Sequence, residues 1–327
     1  MKPILIHIHF HHRKTGVTRS IENVLPFFST NFETYVYGNT IDGNFIKTSK
    51  FIKLLFSDRK IVVHCHRNNE IIRMLFFRFL GAKFRLIATR HSATKPSKMT
   101  SFLLKKADKV ITLIPSMSQD LGIKNDLVFH GVNVEEFVPN HSKSISEIAQ
   151  KNIILCAGRV RKAKGQLILL EAASIVKNHQ DWALVIVGKV DKPEFLTELK
   201  AISQKHSIEN QVYFIDETRE IIGYYQAAKI AVVPSFSEGF SLVTAEAMSC
   251  ECTVIATKNV GVHDDLISHE KNGYLFEAGK SDELAIILQR LISKEIPFLG
   301  KEARIEILKN WSAEKEANEL MKMYQSN

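Results

Sequence analysis

The chain has 327 residues, 45% hydrophobic and 24% charged, with a formal net charge of +9, an ordinary soluble composition. Its length predicts about two domains, each able to bury its own core. No window approaches the ~18 uninterrupted apolar residues of a membrane-spanning helix, and the start, MKPILIHIHFHHRK, is too short and histidine-rich in its apolar part for a signal peptide, so a cytoplasmic location is expected.

Short apolar runs alternate with helical patterns along the chain. The first half holds candidate strands PILIHIHF, FETYVYG, KIVVHCH, FRLIATR, KVITLI and DLVFH, and the second NIILCAG, WALVIVG, QVYFID, KIAVVPS and CTVIAT. Between them TRSIENVLPFF, KGQLILLEAASIVKNH and SDELAIILQRLIS repeat apolar residues at helical spacing. This order predicts an α/β fold of parallel sheets covered on both faces. The order breaks at 139–151, PNHSKSISEIAQK, a polar stretch read as a linker between one doubly wound domain over 1–140 and another starting at 151. The final stretch, WSAEKEANELMKMYQ, predicts a helix capped by Ser312.

The charge is uneven. Residues 1–140 carry 21 Lys+Arg against 10 Asp+Glu, whereas 141–327 carry 23 against 25. The basic half therefore calls for a polyanionic partner: nucleic acid, an anionic membrane surface or a phosphorylated substrate. The four cysteines, Cys65, Cys156, Cys250 and Cys252, form no CxxC pair and suit a reducing compartment. Cys250 and Cys252 read as small buried hydrophobes.

In open α/β sheets ligands bind beyond the carboxyl ends of the strands. After NIILCAG, the loop GRVRKAKGQ sets Arg159 and Lys164 between Gly158 and Gly165, a cationic start to a helix that can hold a diphosphate. After KIAVVPS comes EGFSLVTAE, in which Glu238 lies in the loop, Gly239 lets a ligand approach, and Ser241 begins a helix through Met248 that carries Glu246 along its flank. The N–H groups of Phe240, Ser241 and Leu242 are expected to point at an anion there. Two carboxylates beside a nest of donors suit a polyhydroxylated, phosphate-bearing ligand.

These segments, GRVRKAKG, VPSFSEGFSLVTAEAM and GVHDDLISHEKNGYLF, resemble the donor-binding domain of retaining GT-B glycosyltransferases of family 4. HGVNVEEFVP resembles the segment that closes that family's N-terminal domain, and IATRHS its loop with a cleft histidine. RKTGVTRSIENVLP and HCHRNNE are most similar to bacterial lipopolysaccharide-core mannosyltransferases. The resemblance implies two Rossmann-like domains facing across a cleft, an acceptor domain over 1–140 and a nucleotide-sugar domain over 151–310, with residues 311–327 forming a helix that crosses back to the first. It implies that Arg159 and Lys164 bind the diphosphate, Glu246 the ribose, Glu238 the donor sugar, and the Gly239–Leu242 backbone sugar and phosphate oxygens. His91 would reach the sugar from the acceptor domain. Gly16 would approach the donor phosphates, although many family members carry two glycines where this chain has Thr15-Gly16. Glu238 and His91 are then the catalytic candidates, and no metal or other cofactor is expected.

The expected donor is GDP-mannose or another hexose nucleotide, and the alternative a UDP-sugar serving exopolysaccharide or capsule synthesis. The expected acceptor is a lipopolysaccharide-core or related glycolipid, or an oligosaccharide, and anionic. Residues 67–98 hold Arg67, Arg73, Arg78, Lys83, Arg85, Arg90, Lys95 and Lys98 against Glu70, and IIRMLFFRFLGAKFR interleaves cations with large apolar groups. That pattern suits peripheral contact with the inner leaflet of the cytoplasmic membrane rather than nucleic acid. Two competitors from other classes are a metal-dependent hydrolase using His7, His9 and His11, which share one strand face, and a non-catalytic nucleotide-sugar-binding protein.

Overall fold

The computed structural model describes residues 2–326. They divide into two compact units: the chain up to Asn133 together with the chain from Trp311 onward, and Val134–Asn310. The polar stretch 139–151 thus lies inside the second unit. It is tied there by neighbours, Gln226 donating to the Val138 carbonyl (2.9 Å) and the Ala149 N–H to the Tyr213 hydroxyl (3.3 Å).

The first unit is built on β1 (Ile4–Phe10), β2 (Glu33–Asn39), β3 (Ile61–Cys65), β4 (Arg85–Arg90), β5 (Lys109–Thr112) and β6 (Asp126–Leu127). They pair in the order β2-β1-β3-β4-β5-β6, all parallel. The crossovers are α1 (Gly16–Val24), α2 (Thr48–Leu55), α3 (Asn68–Phe79), α4 (Lys98–Leu104) and α5 (Pro115–Asp120). Thr15 caps α1, its hydroxyl accepting from the Thr18 N–H while Thr18 Oγ1 accepts from the Thr15 N–H. The apolar pattern that continues past Val24 becomes a 3₁₀ turn over Leu25–Thr30, where Pro26 supplies no backbone donor to prolong the α-helix.

The second unit holds β7 (Asn152–Ala157), β8 (Trp182–Val187), β9 (Val212–Ile215), β10 (Ile230–Val233), β11 (Thr253–Thr257) and β12 (Tyr274–Phe276), in the parallel order β12-β11-β10-β7-β8-β9. Its helices are α6 (Gln166–Ala172), α7 (Pro193–Lys205), α8 (Ile221–Ala227), α9 (Leu242–Ser249), α10 (His263–Leu266), α11 (Ser281–Ile292) and α12 (Gly300–Asn310). Strand order reverses between β1 and β3 in the first sheet and between β7 and β10 in the second. Those reversals open the crevices where doubly wound sheets take ligands.

The chain then closes the first unit with α13 (Ala313–Gln325), capped by Ser312, whose hydroxyl accepts from the Lys315 N–H at 3.3 Å. Val132 and Ala313 bond reciprocally to this segment, through the Trp311 carbonyl (2.9 Å) and the Val132 carbonyl (2.8 Å). Ala317, Leu320 and Tyr324 bury against Leu5, Val62, Ile87 and Phe28, so α13 covers one face of the first sheet. Ile4, Ile6, Ile8, Val63 and Leu86 fill the other face with Phe51 and Met74. No helix among the described residues is long and apolar enough to cross a membrane.

Candidate active site

In the second unit the β7 and β10 loops meet through a glycine. Gly165 sits at φ +71°, and a Cβ there would run into the Pro234 carbonyl, so only glycine lets the loop after β7 close onto the end of β10. The contact is sealed by the Phe236 N–H donating to the Ala163 carbonyl at 2.9 Å. As a result Lys164 Nζ lies 2.6 Å from Glu238 Oε1, with Lys164 16% and Glu238 8% exposed at the side chain. Ser235 Oγ donates to the same oxygen at 2.6 Å. Both bonds fall on Oε1, which leaves Oε2 the oxygen available to a ligand hydroxyl.

Arg159 stands on the same loop, half-exposed, 3.7 Å from Asp191. Gln166, the first residue of α6, donates to the Arg159 carbonyl (2.9 Å) and so fixes the loop to the helix that follows. A Cβ on Gly261 would lie 2.7 Å from Glu238 Cβ and from the Gly239 carbonyl, so the loop after β11 presses on Glu238 from the far side. The sequence thus brings Arg159, Lys164, Glu238 and Gly239 together, at the point where the strand order reverses.

Two details depart from the expected nest. Ser241 is the N-cap of α9 and is buried, but the Leu242 N–H donates to the Phe240 carbonyl at 3.1 Å, so that amide is turned inward by a tight local turn rather than toward an anion. α9 is buried on nearly every side, and Glu246 is 3% exposed, its Oε2 accepting from the Tyr225 hydroxyl at 3.0 Å. The helix therefore has no open flank, and Glu246 is buried with it rather than projecting along an exposed side.

His263, in GVHDD, carries no motif that assigns it a role from sequence. It is fully buried, its Nδ1 lies 2.8 Å from the Thr257 carbonyl, and its Nε2 has no partner. Burial lowers its pKa, opposed by the charge of Glu238. Thr257 Oγ1 in turn donates to the Ser235 carbonyl (2.7 Å), linking this imidazole to the Glu238 loop. The signal in the sequence was a histidine after the apolar strand CTVIAT.

In the first unit Gly16 is the first residue of α1, and a Cβ there would meet nothing within 4 Å. The fold itself therefore does not demand glycine at this position. His91, just after β4, lies in a ladder of imidazoles. Its Nε2 is 3.1 Å from His66 Nδ1, and its Nδ1 is 3.3 Å from His130 Nε2. His66 Nε2 is 3.2 Å from His7 Nδ1, and His130 Nδ1 is 2.7 Å from Glu316 Oε1 on α13. The Glu316 carboxylate accepts at one end of the ladder, and at the other His7 Nε2 is buried with no partner among the described residues. Both nitrogens of His91 are thus engaged within its own unit.

Desolvation drives the His7 pKa down to about 3 and those of His64, His66 and His91 well below the usual value, so these rings are neutral. His7, His9 and His11 do not converge as a hydrolase site would require. His9 turns to the Asn39 carbonyl (2.9 Å) and Thr18 Oγ1 (3.1 Å), and His11 to its own loop. His7, His64 and His66 do come within 4.8 Å of one another, but both nitrogens of His64 are held by hydroxyls, of Tyr324 and Thr89, each at 2.7 Å.

Residues 137–311 match the family model described as "Glycosyl transferases group 1". The chain is 26% identical over 288 residues to the lipopolysaccharide core biosynthesis mannosyltransferase LpsB of Rhizobium meliloti (strain 1021), covering 81% of this chain and 79% of that one. Among solved structures, Anabaena HepE in complex with UDP aligns with a TM-score of 0.82 over 100% of both chains, at 17% identity. The C-terminal domain of LpcC from Francisella tularensis is 32% identical, with a TM-score of 0.52, over 56% of this chain and 99% of that domain.

Proposed function

Because the chain belongs to the group 1 glycosyltransferase family and has the GT-B fold, we propose that it is a retaining hexosyltransferase that moves mannose from GDP-mannose to a lipopolysaccharide-core or related glycolipid acceptor. The observation that carries this reading is the Lys164–Glu238 pair at the β7/β10 crevice with Arg159 beside it. A cation already set against a carboxylate can bridge a diphosphate and a sugar that arrive together.

In this reading Arg159 and Lys164 bind the diphosphate by charge-assisted bonds and stabilise the leaving nucleotide's developing charge, a task that needs no metal. Glu238 accepts from a sugar hydroxyl through Oε2, Glu246 from the ribose, and the Gly239–Ser241 backbone faces the sugar and phosphate. The acceptor attacks from the face the leaving phosphate vacates, which retains configuration. His91, with both ring nitrogens held by His66 and His130, serves the acceptor side by packing rather than by a hydrogen bond of its own. The mannose and lipopolysaccharide parts rest on the Rhizobium relative. HepE binds UDP, which favours a UDP-sugar as the second reading of the donor.

The acceptor's location follows from α3 and α4. Ile72, Phe76, Phe79, Met99 and Phe102 are exposed on them, among Arg73, Lys98, Lys105 and Lys106. Large apolar side chains standing in water beside cations suit peripheral docking on the anionic inner leaflet of the cytoplasmic membrane.

A thermal-shift panel of nucleotides and nucleotide sugars tests the donor assignment. A specific donor at about 100 times its Kd should stabilise the protein by about 2.7 kcal/mol. A melt unmoved by any nucleotide or nucleotide sugar would overturn the reading. Sedimentation with anionic vesicles, lost in Phe76→Ser/Phe79→Ser, tests the membrane contact.

A further inference from the structure

A second cavity, of about 470 Å³, lies wholly within the first unit and is unused by the donor reading. Its walls come from α1, from the segment after β3, and from the segment between β4 and α4, so it opens beside the β1/β3 reversal of strand order. Arg67, Arg90 and Lys95 line it, and no aspartate or glutamate does.

Neither arginine has an ion-pair partner among the described residues. Arg90 is only 9% exposed, and its guanidinium donates to the Thr94 carbonyl, a neutral acceptor. Arg67 has a buried Nε without any partner and one long bond, 3.4 Å, to Thr15 Oγ1. Glu70 lies near Arg67, but its oxygens already accept from the backbone N–H groups of Phe10 (3.1 Å), His66 (2.7 Å) and Arg67 (3.0 Å). It offsets part of the Arg67 charge without pairing with the guanidinium.

Asp120 acts on Arg90 through space without an ion pair between them; burying a guanidinium without a paired counter-charge is costly, and an oxyanion received into the forks of two arginines relieves that cost. His66 and His91 on the same wall do not compete for this role, since their ring nitrogens are spent on the imidazole ladder. Asn68 and Thr100, bonded to each other at 2.8 Å, join the starts of α3 and α4 at the rim and offer neutral partners to sugar hydroxyls. The helices that border the cavity are those that carry the exposed Ile72, Phe76, Phe79, Met99 and Phe102.

We infer that this cavity is an oxyanion site for the acceptor, holding a phosphoryl or carboxylate group borne on an acceptor sugar between Arg67 and Arg90, with Lys95 closing over it from the loop. The inference rests on the reading of the chain as a transferase acting on an anionic glycolipid. It adds that the negative charge recognised is on the sugar and is read by named residues remote in sequence from Arg159 and Lys164.

Isothermal titration of the full chain with glucose 6-phosphate, glucuronate, glucose, inorganic phosphate and anionic phospholipid vesicles tests it. Glucose 6-phosphate or glucuronate should bind at least tenfold more tightly than glucose and than inorganic phosphate. Arg67→Gln should weaken that binding at least tenfold, and so should Lys95→Gln, whose exposed loop position leaves the fold intact. Thermal shifts with GDP and UDP should be the same in both variants as in the parent chain. Equal binding by the parent and both variants would overturn the site. Binding of inorganic phosphate as tight as that of the sugar anions, or of vesicles alone, would overturn its assignment to a sugar. Loss of nucleotide binding with the sugar anion still bound would instead remove the donor reading and leave this site standing.

Discussion

Acidification from about pH 7.5 to about pH 5.5 should destabilise the first unit steeply, because His7, His64 and His66 are buried and His91 half-buried, all as neutral rings. His7 has its pKa lowered from 6.5 to about 3, and His64, His66 and His91 are also lowered well below 6.5, in every case chiefly by desolvation. Below 6.5 the unfolded chain binds protons that the folded chain does not. The stability these rings contribute is therefore complete above 6.5 and is lost progressively as the pH falls toward the folded values. At about pH 5.5 each ring costs roughly 1.4 kcal/mol, so four cost roughly 5–6 kcal/mol, against a total domain stability of ~5–15 kcal/mol. Trp311 is in this unit, packed edge-on to Phe129 with ring centroids 5.0 Å apart, and Trp182 is in the other. Urea melts of the Trp182→Phe variant, followed by Trp311 fluorescence at both pH values, read the first unit. His7→Leu should reduce the pH dependence by about one quarter, since one of four rings no longer titrates. A change below ~1.4 kcal/mol between the two pH values would refute the neutral-ladder reasoning.

Other expectations concern single positions. Glu246→Ala should weaken nucleotide-sugar binding by about 10–100-fold, as for losing a bond to a charged group, whereas Glu238→Ala should lower kcat more than it weakens binding of the bare nucleotide; equal small effects in titration and turnover would make both residues structural. Gly165→Ala should cost ~1–3 kcal/mol in melting, from a left-handed backbone and a clash with the Pro234 carbonyl, and should weaken nucleotide binding by displacing Lys164. Gly16→Ala, with open space around its Cβ, should change stability by less than ~0.5 kcal/mol while weakening nucleotide-sugar binding if the donor phosphates approach it. Tyr324→Phe removes the hydroxyl bonded to His64 and should cost about 1–2 kcal/mol. Deletion of 312–327 should cost far more, because Ala317, Leu320 and Tyr324 leave the first sheet uncovered; unchanged melting of the truncated chain would contradict the packing described for α13.

Whatever depends on local periodicity and short-range chemistry is readable from the residues alone. Runs such as NIILCA and WALVIV are buried on both faces and read as parallel strands, and the Ser312 cap of α13 was legible from one residue. Elements that depend on more than pattern were less so. β12 was not anticipated, since three residues at a sheet edge carry too little periodicity, and KGQLILLEAASIVKNH reads as one helix but changes to a 3₁₀ turn after Ala172. Arg159, Lys164 and Glu238 were visible as charged residues just past strand ends, where doubly wound sheets take ligands.

Which of these groups meet, and in what state, is set by long-range packing. The Lys164–Glu238 pair joins residues 74 apart in sequence, through a contact that exists because Gly165 has no side chain. The histidines of HIHFHH looked like one set on one strand face, yet His7 joins His66 from the neighbouring strand's end while His9 turns away to Thr18. His91 stands alone in its motif IATRHS, and in the fold it is one rung of a ladder ending on Glu316, 225 residues along the chain. Side-chain period fixes the face a residue occupies, but its partners, its burial and hence its charge depend on strands and helices brought together from distant parts of the chain.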